Sequence, residues 1–208
     1  MRLNVWCRLL FFALIVVMAA PVASAGIILS LDPSSQSVAL GSQATMDLNI
    51  SGLGDPPSLG TFDVNITFDL TTLSFSNFSF GDPVLGCDEL DPTCGGNTIN
   101  FINPGVGTVE LFDLSLDSDT TLNALQPSSF ILGVLTFDTL GTGASSVDVT
   151  INALGDADGN SLSASIQNGS VSVSSVSSVP EPPTIYLLGS ALFAMAILRH
   201  RFLLSSVR

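Results

Sequence analysis

Between Gly26 and Pro183 the chain contains no lysine, arginine or histidine, and no tryptophan or tyrosine. Each absence closes off a class of function. Without basic side chains nothing can neutralise phosphates, so nucleic acids and nucleotides are poor partners. Without histidine, neither a Ser-His-Asp nor a Cys-His catalytic set can be assembled, and a histidine zinc site is equally ruled out. A sugar-stacking platform would have to be built from phenylalanine. No internal ion pair can form, so every carboxylate must be solvated, hydrogen-bonded or bound to a cation. Cysteine is scarce, with Cys7, Cys87 and Cys94 the only three in the chain.

Negative charge is abundant. All 18 acidic residues lie from Asp32 to Glu181, whereas the five basic ones, Arg2, Arg8, Arg199, Arg201 and Arg208, lie in the two terminal segments. The formal net charge of −13 therefore conceals a stretch, residues 26–183, carrying −18 with nothing to offset it. Such acidity suits a soluble, self-repelling surface. The alternative is divalent-cation binding, since Ca²⁺ takes carboxylate and carbonyl oxygens.

Both ends read as addresses. Arg2 and Arg8 precede an unbroken apolar run, Leu9 to Ala20, and Ala23-Ser24-Ala25 then fits the small-x-small cleavage pattern. This predicts a secretory signal peptide over residues 1–25, cut after Ala25 between the expected recognition residues Ala23 and Ala25 and the mature chain. At the other end, residues 174–183 form a Ser- and Pro-rich linker ending in Val179-Pro180-Glu181-Pro182-Pro183. An uncharged stretch from Thr184 to Leu198 follows, then Arg199-His200-Arg201. Residues 184–208 are expected to form a transmembrane helix with a basic tail. As a helix the uncharged stretch would span about 22 Å against a bilayer core of about 30 Å, a short crossing. The basic end belongs on the cytoplasmic side, which leaves the acidic part outside.

Residues 26–173 are rich in Ser, Thr, Val, Leu, Phe and Gly, with short alternating runs between turn residues. The clearest strand is Thr61 to Asp69, with Phe62, Val64, Ile66 and Phe68 on one face and Asp63, Asn65 and Thr67 on the other. A second run directs Leu73 and Phe75 inward and then Phe78 and Phe80, a change of parity that predicts a bulge at Ser76-Asn77. Further candidates are Ile27 to Leu31, Ala44 to Ser51, Thr98 to Ile102, Val106 to Leu116, Phe130 to Leu140 and Ser145 to Ala153. A closing pair lies around Ser161 to Ile166 and Gly169 to Val173. The expectation is an all-β sandwich or jelly roll of about nine strands.

Two local sites stand out. Cys87 and Cys94 enclose a short Gly- and Pro-bounded loop, and in an oxidising compartment a disulfide is expected between them. A catalytic role for either is disfavoured, because no basic neighbour can lower its pKa. Asp156-Ala157-Asp158-Gly159-Asn160 resembles the opening of a Ca²⁺ loop, but Ser161 and Gln167 stand where the EF-hand has its glycine and bidentate glutamate. The favoured reading is a hairpin turn in which Asp and Gly serve backbone geometry. Metal ligation by Asp156, Asp158 and Asn160 is the alternative, and no other cofactor is implied.

The tail resembles the PEP-CTERM sorting signal of Gram-negative bacteria, through Val179, Pro180, Glu181 and Pro182, the apolar stretch Ile185 to Leu198, and Arg199 with Arg201. The resemblance implies processing by an exosortase that reads Pro180, Glu181 and Pro182. It also implies passage through the inner membrane, facing the periplasm, to the cell surface or an extracellular matrix associated with exopolysaccharide or biofilm. The middle of the chain resembles a cohesin-like domain, through Leu31 to Ile50, Leu59 to Phe75, Ile131 to Phe137 and Asp156 to Val173. Phe68-Asp69 stands where cohesins commonly have Tyr-Asp. That resemblance implies a nine-stranded jelly-roll sandwich which, in cellulosomes, docks a dockerin through one face. This chain has one such domain and no enzyme module, so dockerin binding is not carried to named residues. The expected function is a non-catalytic binding or structural module with an exported protein or exopolysaccharide as partner. A carbohydrate-binding module for exopolysaccharide is the first alternative, and a glycoside hydrolase using carboxylates alone the second.

Overall fold

The computed structural model describes residues 26–54, 56–175, 187–193 and 195. The expected signal peptide, with Ala23 and Ala25, lies outside the described residues. So do Val179, Pro180, Glu181, Pro182, Arg199 and Arg201. Residues 187–193 and 195 are helical. Among the described residues no helix is long and apolar enough to cross a membrane, and the rest of the expected span from Thr184 to Leu198 falls outside them.

Among the described residues the β domain has eleven strands and one short helix. In order they are β1 (Ile27–Asp32), β2 (Ser35–Ala39), β3 (Gln43–Ser51), β4 (Leu59–Phe68), β5 (Leu73–Phe80), β6 (Thr98–Pro104) and β7 (Thr108–Ser115). Then come α1 (Asp119–Leu125), β8 (Ser129–Thr139), β9 (Gly143–Asp156), β10 (Ala164–Gln167) and β11 (Gly169–Ser174). They form a five-stranded sheet in the order β10-β1-β3-β8-β5 and a six-stranded sheet in the order β2-β11-β9-β4-β7-β6. All pairings are antiparallel except β1 with β10 and β2 with β11. The N-terminal run thus starts in one sheet and crosses to the other between Asp32 and Ser35.

Alternation in sequence becomes layering in space, because successive strand side chains point to opposite faces. Leu29 and Leu31 of β1, Met46, Leu48 and Ile50 of β3, and Leu135 and Phe137 of β8 face inward from one sheet. Phe62, Val64 and Ile66 of β4, Val109 and Leu111 of β7, and Val171 and Val173 of β11 meet them from the other. All belong to one hydrophobic cluster. Phe137 sits at its centre, edge-on to Phe68 at 5.2 Å and to Phe75 at 6.4 Å between ring centroids.

The β5–β8 register shifts between Phe75 and Asn77, at the expected bulge, which returns Phe78 to the interior after Leu73. Gly133 of β8 pairs with Phe80, and a Cβ there would run into the Phe78 ring and the Ser79 carbonyl oxygen. The strand absent from the sequence expectation is β2, whose Ser-Gln-Ser-Val-Ala is mostly polar and borders solvent at a sheet edge. Helix α1 was likewise not signalled. It spans seven residues and starts at Ser118, whose side chain accepts from the Thr121 N–H at 3.2 Å, an N-cap bond.

Candidate binding face

The outer side of the six-stranded sheet is built by the residues that alternate with its core. From β4 it takes Thr61, Asp63, Asn65 and Thr67. Strand register aligns these in rows. Asp63 is opposite Phe112 of β7, and Phe112 is opposite Phe101 of β6. Thr61, Leu114 and Ile99 form the row on one side, and Asn65, Glu110 and Asn103 the row on the other.

Two zones result. Near the β6 edge, Phe101 and Phe112 stack with ring centroids 4.9 Å apart and planes inclined by 17°. Ile99 and Leu114 extend this apolar corner, and Ile99 and Phe101 remain 53% and 45% exposed. Toward β9 the face turns polar. The β4–β9 register shifts beside Asp63, leaving Asn152 as the extra residue of the bulge. Bulges re-aim side chains, and here Asn152 Nδ2 donates to Asp63 Oδ1 at 2.9 Å while its Oδ1 accepts from Asn65 Nδ2 at 3.1 Å. Asn103 Nδ2 donates to Glu110 Oε2 at 3.0 Å on the β6 side. The face offers stacking, hydrogen bonding and negative charge on a broad surface. It has no nucleophile with an adjacent base.

One end of the sandwich behind this face is closed by the loop of residues 81–97. Cys87 and Cys94 are joined there by a disulfide with a Cα–Cα distance of 5.6 Å. Leu90 is fully buried, and its carbonyl accepts from Ser115 Oγ. Gln126, just after α1, donates to the Leu59 and Glu89 carbonyls and accepts from the Leu59 N–H. The Asp91 carboxylate takes Thr93 Oγ1 on one oxygen and the Gly96 and Asn97 N–H groups on the other. Beneath the loop, Asp113 of β7 continues the inward parity of Val109 and Leu111 and is fully buried. Its carboxyl is pushed up to about 9, first by burial and then by the hydrogen bond and repulsion of Asp88, against a smaller opposing pull from the Leu114 backbone. Sequence reasoning passed over Asp113, although its spacing from Val109 and Leu111 was the available signal.

The Asp156–Asn160 segment is a turn. Asp156 Oδ1 accepts from the backbone N–H groups of Asp158 and Asn160 at 3.0 and 2.7 Å, and Oδ2 accepts from Asn160 Nδ2 at 3.1 Å. The Asn160 side chain first, then its backbone N–H, hold this carboxyl below its ordinary value. Asp158 and Asn160 are exposed. Among the described residues no group of three or more His, Cys, Asp or Glu side chains forms a metal-ligand set.

On the opposite sheet, a shallow groove of about 470 Å³ runs along β1, β3 and β8, lined by Ser30, Asn49, Ser129, Gln167 and Phe130 among others. It presents hydroxyls and amides with one carboxylate, Asp32.

No protein-family model matches the sequence, and no curated protein matches it. Solved structures do. The sixth cohesin of scaffoldin B from Acetivibrio cellulolyticus, solved with a Cel5 dockerin, superposes with a TM-score of 0.56 at 21% identity, covering 72% of this chain and 100% of the cohesin. A cohesin from the Coh-OlpC–Doc435 complex of Clostridium thermocellum gives 0.57 at 14% identity over 76% of this chain and 99% of its own. A non-cellulosomal cohesin from the archaeon Archaeoglobus fulgidus gives 0.52 at 14% identity, over 78% and 97%. The fold of this chain is therefore that of cohesin modules.

Proposed function

We propose that this chain is an exported, non-catalytic binding module that docks a protein partner on the outer face of its six-stranded sheet. The observation that carries this reading is the exposed Phe101–Phe112 stack beside the ordered Asn65–Asn152–Asp63 chain. Aromatic anchors flanked by hydrogen-bonding groups are what interface hot spots are made of. Cohesins of the same fold have been solved with dockerins, which favours a protein over a glycan. The face carries Asp63 and Glu110, and the domain holds no basic residue. A complementary partner therefore presents apolar side chains to the aromatic corner and Lys or Arg to the acidic strip.

Export rests on the Leu9 to Ala20 run with Ala23 and Ala25. Sorting rests on Val179-Pro180-Glu181-Pro182 with Arg199 and Arg201, read by an exosortase as the tail passes through the inner membrane. The module would then stand at the cell surface or in its extracellular matrix. A mature protein starting at Gly26, and retention of a Pro180/Glu181/Pro182 alanine variant in the membrane fraction, are the expected results.

The docking test compares the full chain with F101D and F112D variants as bait for the host's exported proteins. A protein held by the parent and lost by both variants, with the variants folded, supports the reading. An identical capture profile rejects it. Exopolysaccharide is the second reading, favoured by the hydroxyl- and amide-lined groove along β1, β3 and β8. A glycan array, with and without Ca²⁺, distinguishes it through signals lost on changing Asn49 or Gln167 but not Phe112.

A further inference from the structure

Asp113 is an acid in a place built for an apolar side chain. It follows Val109 and Leu111 on the inward face of β7 and is fully buried. Neither of its oxygens accepts a well-formed hydrogen bond from any N–H or hydroxyl group. The side chain that meets it is another acid, Asp88, whose Oδ1 takes the Leu90 N–H at 3.0 Å while its Oδ2 is buried and without a donor. Two facing carboxylates in a buried site cannot both be ionised, and no basic side chain exists in residues 26–183 to neutralise them.

One proton resolves the arrangement. A protonated Asp113 offers one O–H, and Asp88 Oδ2 is an acceptor in need of a donor. We propose that Asp88 and Asp113 share a single proton that latches the disulfide loop onto the inner end of β7. The latch joins an element of the sheet to a loop that is also docked through Leu90, the Gln126–Glu89 and Ser115–Leu90 bonds and the Gly81–Leu132 and Leu116–Asn97 backbone bonds. Asp113 is wholly buried, so the pair has no access to a substrate and is not a catalytic dyad.

Every titratable group around the pair is another carboxylate. The loop carries Asp82, Asp88, Glu89 and Asp91, and Asp117 follows β7. Strands β4 and β6 place Phe62 and Asn100 opposite Asp113, and neither titrates. Asp63 of β4 points to the other face. Glu89 is itself raised, by burial and then by Asp88 and Asp82. Nothing nearby can take over the neutralising role as the proton leaves.

The sign follows from linkage. The native pair holds a proton that a released, solvated Asp113 gives up near 3.8, so the latch is strongest in acid and weakens as pH rises toward about 9. A single shared proton weakens it about tenfold per pH unit across that window, after which the effect levels off.

The test is amide hydrogen exchange of the full chain at Leu90 and Asn97, from about pH 5 to about pH 10, as a ratio to the same amides in D113N. The ratio cancels intrinsic exchange, and an asparagine at 113 donates to Asp88 at every pH. The expected ratio climbs about tenfold per pH unit and flattens near the alkaline end. D88N gives an independent reference should D113N fold poorly. A ratio that stays flat against both variants overturns the proposal. So does an alkaline loop closed by millimolar calcium with release of a proton, which would make the pair a cation site.

Discussion

Phe101 and Phe112 lie face to face on the solvent side of neighbouring strands, ring centroids 4.9 Å apart. Directly opposed cross-strand aromatics stabilise a sheet by about 0.5–1.5 kcal/mol beyond their burial. Yet Phe101 stays 45% exposed, with Ile99 beside it at 53%. The stack therefore leaves apolar area uncovered at a sheet edge, and a partner covering it would gain what the fold does not.

Replacing Phe101 or Phe112 by alanine separates the two contributions. Folding stability should fall by only about 1 kcal/mol, since neither ring is in the core. Affinity for the docked partner should fall by about 2 kcal/mol or more, roughly 30-fold, as for a central aromatic anchor. Denaturant unfolding and titration calorimetry on the same variants check the two numbers. Equal losses in both would mean that the rings serve the sheet.

The Cys87–Cys94 bridge closes a loop of sequence separation 7. Loop-closure entropy for so short a ring gives a stabilisation of about 2 kcal/mol. A C87S/C94S variant should unfold at correspondingly lower denaturant while the main core remains. Exchange should increase first at Leu90 and at the amides bonded to Asp91, because the bridge holds the segment that buries them.

These strands were legible where one face is greasy and the other wet. Phe62, Val64, Ile66 and Phe68 alternate with Asp63, Asn65 and Thr67, and the parity break at Ser76-Asn77 marks the bulge. Strand β2 was not legible, because Ser35–Ala39 gains its place from parallel pairing with β11, more than a hundred residues away in sequence. Helix α1 is too short to show a period. For the binding face, the sequence marked the polar side of β4 but not the rows, since Phe101 and Phe112 meet only through register. The pairing of Asp113 with Asp88 depends on how the loop folds back, which no local pattern encodes.

Phe137 and Gly133 on β8 test the core from opposite directions. Phe137→Ala removes a fully buried ring that touches Phe68 and Phe75, and should cost about 3–5 kcal/mol. Gly133→Ala adds one methyl where the Phe78 ring and Ser79 carbonyl leave no room, and should cost about 1–3 kcal/mol through displaced side chains. A Phe78→Ala change in the same chain should recover part of the Gly133→Ala loss. If the double variant is simply additive, the two residues do not compete for that space.

Asp91 gives the loop a second, opposite dependence on pH. Burial alone would raise its carboxyl, but this is outweighed by the Asn97 backbone N–H, the Thr93 hydroxyl and the Gly95 and Gly96 N–H groups, which together hold it below 3.8. A group lowered in the folded state contributes stability that is present above its unfolded value and lost as pH falls through the folded one. The contribution of Asp91 is therefore complete at neutral pH and disappears only in strong acid, below 3.8. Asp113 loses its contribution in the alkaline direction, so the loop should be best protected in mildly acidic solution and should loosen at both extremes. D91N mimics the protonated acid, and should expose the Gly96 and Asn97 amides at neutral pH about as much as acid does in the parent. D113N should flatten the alkaline limb and leave the acid limb in place. Amide exchange at Asn97 across the full pH range reads both limbs in one experiment, and a parent loop equally protected in strong acid would rule out Asp91 as its acid-labile anchor.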